Sequence, residues 1–162
     1  MRIIATLVMV NLLWCCKTTD SQKITSYWQD ITIEQDTALL PTEYRGLQLD
    51  MIALMDRSPD SVLMLPLPNG SNVFVSIEDS GTMSEALKVK FPNIRSYKIV
   101  EPDYLQGRID INHKGFYAMI IDLENIYFIN PVADSSQYYI SFDKQNLRPG
   151  IKNPFIEGTW KK

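Results

Sequence analysis

Cysteine is almost missing from this chain. Its two cysteines are the adjacent Cys15 and Cys16, and none follows. Beyond residue 16 there is thus no material for a disulfide, a thiolate metal site or a cysteine nucleophile. Histidine is scarcer still: His113 stands alone, which excludes a multi-histidine zinc site and the His-Glu-x-x-His pattern of zincins. Phosphate-binding glycine loops, Gly-x-Ser-x-Gly elbows and dinucleotide fingerprints are absent as well. Sixteen Lys and Arg against nineteen Asp and Glu leave a formal net charge of -3, so a broadly basic nucleic-acid binder is excluded. No internal repeat, low-complexity tract or coiled-coil heptad interrupts the 162 residues, a length that fits one domain.

The chain opens on the positive Met1-Arg2, followed by Ile3 to Leu13, apolar apart from Thr6 and Asn11. Eleven residues match a secretory hydrophobic region and fall well short of the roughly 20 needed to span a bilayer as a helix. The abrupt change to Lys17-Thr18-Thr19-Asp20-Ser21 marks its end. Leu13-Trp14-Cys15-Cys16 resembles a bacterial lipoprotein cleavage site, with Cys16 the acylation candidate because the bulky Trp14 would directly precede Cys15. Residues 1–16 are therefore expected to be a lipoprotein-type signal peptide, residues 17–30 a polar tether, and the destination the cell envelope through a membrane lipid anchor; the alternative is a plain secretory signal and a secreted or periplasmic domain. A domain over 31–145 and an irregular tail over 146–162 complete the division; the tail carries Pro149, Gly150, Pro154 and Gly158 without periodicity.

Within the domain, Leu47, Met51, Ile52, Leu54 and Met55 recur at helical spacing, which predicts an amphipathic helix over 46–57 that ends at Ser58-Pro59. Its methionines read as core filler, because a half-apolar helix must bury one face. Val62 to Leu67 and Asn72 to Ile77 flank Asn69-Gly70, a strong hairpin signal. Pro66 and Pro68 cannot donate ladder hydrogen bonds, so that end lies on a sheet edge or has already left the sheet. Thr82-Met83-Ser84-Glu85 resembles a capping box and predicts a short helix to Lys90, stopped by Phe91-Pro92. A strand is predicted at Ile94 to Val100, and after the turn-like Glu101-Pro102-Asp103 four more at 108–112, Phe116 to Ile121, Ile126 to Ile129 and Tyr138 to Phe142, whose short polar connections suggest an antiparallel meander. The expected fold is a single α+β domain: an antiparallel β-sheet with two short helices packed on it.

Candidate chemistry is sparse. Asp110 and His113 could form a hydrolytic pair with a serine, but His113 sits in a turn signal, where a solvated histidine is favoured. Asp56, Asp60, Glu78, Asp79, Asp122 and Asp143 are scattered over turns and element ends, and no pair among them can be named an acid/base couple from spacing. Tyr127, Tyr138 and Tyr139 would form a patch only on a shared face, and adjacent strand residues face opposite ways. No catalytic residue, metal or cofactor is assigned.

A series of segments remains: Pro41-Thr42-Glu43-Tyr44-Arg45, Leu65-Pro66-Leu67-Pro68-Asn69-Gly70, Phe74, Met83 to Leu87, Lys90-Phe91-Pro92-Asn93-Ile94-Arg95-Ser96-Tyr97, Gly115-Phe116-Tyr117-Ala118-Met119 and Ile129-Asn130-Pro131. In order and spacing it resembles the N-terminal proregion of bacterial secreted reprolysin-like zinc metallopeptidases, over roughly Trp28 to Phe142. Tyr117 stands where the family often has His, Asn130 where it often has Asp, and Lys98 where a glycine is common. The resemblance implies a noncatalytic domain that acts by protein contact, with a metallopeptidase catalytic domain as partner: inhibitory, chaperone-like or a surface interaction module. The alternatives are a truncated remnant of such a zymogen without independent activity, and a small hydrolase using Asp110 and His113.

Overall fold

The computed structural model describes residues 26–34, 40–56, 62–133 and 137–149. The leader with Cys16, most of the tether, Asp60 and the tail from residue 150 lie outside these. The described chain runs β1 (Trp28–Asp30), β2 (Arg45–Leu49), α1 (Met51–Asp56), β3 (Val62–Pro66), β4 (Asn72–Asp79), α2 (Glu85–Lys90), β5 (Arg95–Glu101), β6 (Gln106–Asn112), β7 (Gly115–Ile121), β8 (Ile126–Pro131), β9 (Tyr138–Asp143) and a single 3-10 turn, Lys144–Asn146. All nine strands belong to one antiparallel sheet ordered β1-β2-β9-β8-β7-β6-β5-β4-β3. Seven consecutive strands form a meander, and the N-terminal β1–β2 pair is laid against its last strand.

This corrects the α+β expectation. The protein is mostly β, and its sheet rolls into a nearly closed barrel instead of lying open beneath two helices. The two helices are six residues each, and α2 buries none of its side chains. The predicted helix over 46–57 is half strand. Leu47 and Leu49 alternate into the interior, and the helix begins only after Asp50, whose Oδ1 accepts the Ala53 N–H at 2.9 Å as a cap. Apolar positions of a strand and of the helix behind it had merged into one apparent helical period. The other expected cap moves too: α2 starts at Ser84, without a side-chain cap bond, while the Thr82 hydroxyl lies 2.8 Å from that of Ser80.

Alternation explains the barrel interior. In β6, Ile109 and Ile111 are buried while Arg108 is exposed and Asp110 and Asn112 are half-buried. Register stacks like with like: Ile109 pairs with Ala118, Ala118 with Ile129, Leu47 with Tyr139 and Leu63 with Val75. With Leu65, Phe116 and Ile120 these residues fill the lumen. Each large apolar side chain contributes about 1.5–3 kcal/mol by leaving water. A register shift between Ser76 and Ile77 bends β4, a usual device for curling a sheet. A second core covers the outer face of β8 and β9, where Phe128, Ile140 and Phe142 meet Leu40 from the segment before β2.

The seam between the edge strands β1 and β3 is joined by side chains. Tyr27 Oη accepts the Met64 N–H at 2.6 Å and reaches the Met64 carbonyl at 3.2 Å, and Trp28 Nε1 donates to the same carbonyl at 3.0 Å. Ser141 Oγ donates to Pro66 O at 2.8 Å. Arg45 Nη1 reaches Leu67 O, Ser71 O and Asn72 Oδ1 in the β3–β4 turn while its Nε holds Asp30. Ser26 Oγ occupies the edge-facing N–H and C=O of Trp28. Exposed edge groups that would invite another strand are thus capped. Trp28 is buried against Phe116 and Tyr139 in edge-to-face contacts, both with centroids 5.4 Å apart. The stretch expected as a tether therefore contributes its last three residues to the sheet.

Candidate functional site

The lumen is packed with side chains, and a concave surface lies at one rim of the barrel. A cleft of about 310 Å³ opens among the β4–α2 loop, α2 and the start of β5, lined by Asp79, Ser80, Thr82, Met83, Lys88, Pro92, Ile94, Arg95, Ser96 and Tyr97. The chain builds it locally. Asp79 Oδ1 accepts the Gly81 N–H at 2.8 Å, with Gly81 at φ +68°, so the loop turns sharply as it leaves β4. The Ser80 N–H donates to Ser96 O at 2.9 Å and pins the loop to β5.

Lys88 crosses the cleft wall. Its Nζ lies 3.1 Å from Asp79 Oδ2 and 2.7 Å from Glu85 Oε1. The Gly81 N–H, then Lys88, holds the Asp79 carboxyl below its ordinary value. Glu85, then Asp79, raises Lys88. Both shifts point away from neutrality, so this pair is fixed in its charged form and is not tuned to exchange protons near pH 7.

Beside the cleft, Ser96 and Asp110 are direct register partners on β5 and β6. The Ser96 hydroxyl donates to Asp110 Oδ1 at 2.5 Å, and Arg108 Nε reaches the same oxygen at 2.9 Å. Sequence reasoning had not singled out Ser96, because only strand register, not spacing along the chain, brings it to Asp110. His113 occupies the exposed turn between β6 and β7.

The other acidic candidates hold loops and strands. Asp122 Oδ1 accepts the N–H groups of Glu124 and Asn125, and Tyr127 Oη donates to Oδ2. Asp143 accepts the Gln145 N–H, Glu78 pairs with Lys98, and Asp56 ends α1. Among the described residues no group of three or more His, Cys, Asp or Glu could hold a metal ion, and no helix is long and apolar enough to cross a membrane. The tyrosines split as expected: Tyr139 is buried and Tyr138 exposed.

Exposed apolar side chains stand on and just after α2, beside the cleft. Leu87, Val89, Phe91 and Ile94 all stand exposed, Val89 at 83%. The Lys90 ammonium lies 5.4 Å from the Phe91 ring centroid. A surface helix that offers Leu and Val to solvent and sinks neither into its own core is unusual.

No family model matches the chain, and neither the curated proteins nor the solved structures gave a significant match.

Proposed function

We propose that this chain is a noncatalytic, exported domain that works by touching another protein, in the manner of a metallopeptidase proregion. The observation that carries the reading is the set of exposed apolar side chains on and after α2, beside a cleft whose Asp79 and Lys88 are already paired. The filled barrel supports it, since small ligands are usually taken up in roomy concavities with converging polar groups. The partner is a reprolysin-like zinc metallopeptidase catalytic domain, by the resemblance of residues 28–142. Without a cysteine past residue 16, contact would act by covering that partner's cleft and not by a thiolate on its zinc. Acylation at Cys16 would hold the domain at the cell envelope.

The test mixes the full chain with the catalytic domain of a reprolysin-like peptidase encoded in the same genome. Complex formation and inhibition are followed at micromolar concentration. A complex weakened at least tenfold by Val89→Glu with Phe91→Glu, the circular dichroism unchanged, supports the reading. Absence of both complex and inhibition ends it. Anchoring is read separately: a Cys16→Ser chain should leave the detergent phase on partition.

A further inference from the structure

The seam of the barrel carries an inference independent of any partner. Among the described residues β3 is laddered to β4 alone, and β1 to β2 alone. The Met64 N–H and C=O, which would otherwise be bare on the β3 edge, end on Tyr27 Oη and Trp28 Nε1. A main-chain ladder must be peeled residue by residue; these bonds are released when two side chains withdraw. The strand carrying them is three residues long, and its Gln29 and Asp30 are exposed. Segments with few main-chain bonds and one-sided pairing open at lower free energy than a sheet's interior.

We propose that β1 is a releasable strap. Withdrawal of Tyr27 and Trp28 frees the β3 edge at Met64, while the Ser141 and Arg45 bonds still hold the Pro66 end of β3 and the meander from β4 to β9 stays folded. The open form presents the Met64 edge and the space the Trp28 ring held against Phe116 and Tyr139. What fastens the strap to β3 is the pair of aromatic side chains; on its other side it stays laddered to β2, with Asp30 held by Arg45.

Amide hydrogen exchange on the full chain tests this. The Met64 amide should exchange at least tenfold faster than the slowest amides of β6–β8. Tyr27→Phe removes the hydroxyl and keeps the ring; it should speed Met64 about tenfold further, because the Met64 N–H loses its buried acceptor, and leave β6–β8 within twofold. Trp28→Phe should act the same way. Met64 exchanging together with the β6–β8 amides in the unaltered chain would overturn the proposal. So would a Tyr27→Phe effect spread evenly over all strands, since that describes global destabilisation and not a local opening.

Discussion

The phenol oxygen of Tyr139 lies 2.9 Å from where a Cβ on Gly115 would stand, and it accepts the N–H of Phe116 at 3.2 Å. One buried tyrosine on β9 thus reads the backbone of β7 across β8. Gly115 also sits at φ +137°, a conformation that L side chains rarely adopt. Gly115→Ala should therefore destabilise by about 2 kcal/mol or more, backbone strain and contact together. Gly70, at φ +87° with nothing near, carries only the backbone part, and Gly70→Ala should lose about 1 kcal/mol. Urea titration of both variants checks the difference.

Arg45 and Asp30 should respond unequally to truncation. Asp30 is largely exposed, and an exposed ion pair contributes about 0.2–1 kcal/mol. Arg45 is mostly buried and also serves two carbonyls and one amide oxygen of the β3–β4 turn. Arg45→Ala should therefore be the more damaging by about 1–3 kcal/mol. Arg45→Lys should recover little, because an ammonium cannot reproduce the guanidinium fork. A double-mutant cycle in urea separates the Asp30 contribution from the rest.

Acid should weaken the fold through depressed carboxylates. Hydrogen bonds from Arg45 hold Asp30 down; the Glu124 N–H first, then Asn125 and Tyr127, hold Asp122 down. A carboxyl lowered in the folded state binds its proton more readily when unfolded. Its stabilisation is present above the ordinary carboxylate pKa of about 4 and is lost as pH falls through the lower folded value. The melting temperature should hold between about pH 5 and 7 and decline below about pH 4. Asp122→Asn should flatten part of that decline. Burial raises Tyr139, so the opposite limb is expected as well, with stability lost above about pH 10.

Two neighbours on α1 give a sharp contrast. Leu54 is buried at 2% exposure and Ile52 stands out at 74%. Leu54→Ala should destabilise by about 2–5 kcal/mol, and Ile52→Ala by no more than about 0.5 kcal/mol. Equal effects on thermal melting would show that α1 packs by a different face.

The meander from Gln106 to Asp143 was readable because its strands alternate and each connection has its own turn residues. Of the two places open to the prolines, Pro66 takes the end of the edge strand β3 and Pro68 lies past it in the turn. What escaped was non-local. Nothing around Tyr27 or Trp28 reveals that both reach Met64, 37 and 36 positions away. Without that closure the apolar spacing from Leu47 to Met55 reads as one helix on a flat sheet. The cleft escaped for a related reason: its two walls meet through the Ser80 bond to β5, and the Ser96–Asp110 pair beside it exists only in the folded register.

The three-residue β1 also gives the molecule a direction of weakness. Among the described residues it is the first strand, and its two fastening side chains sit just before it and at its first residue. Tension drawn through the chain ahead of Ser26 would load those bonds in succession, like a zipper pulled from its open end. The same tension applied past β9 would meet a strand laddered on both flanks.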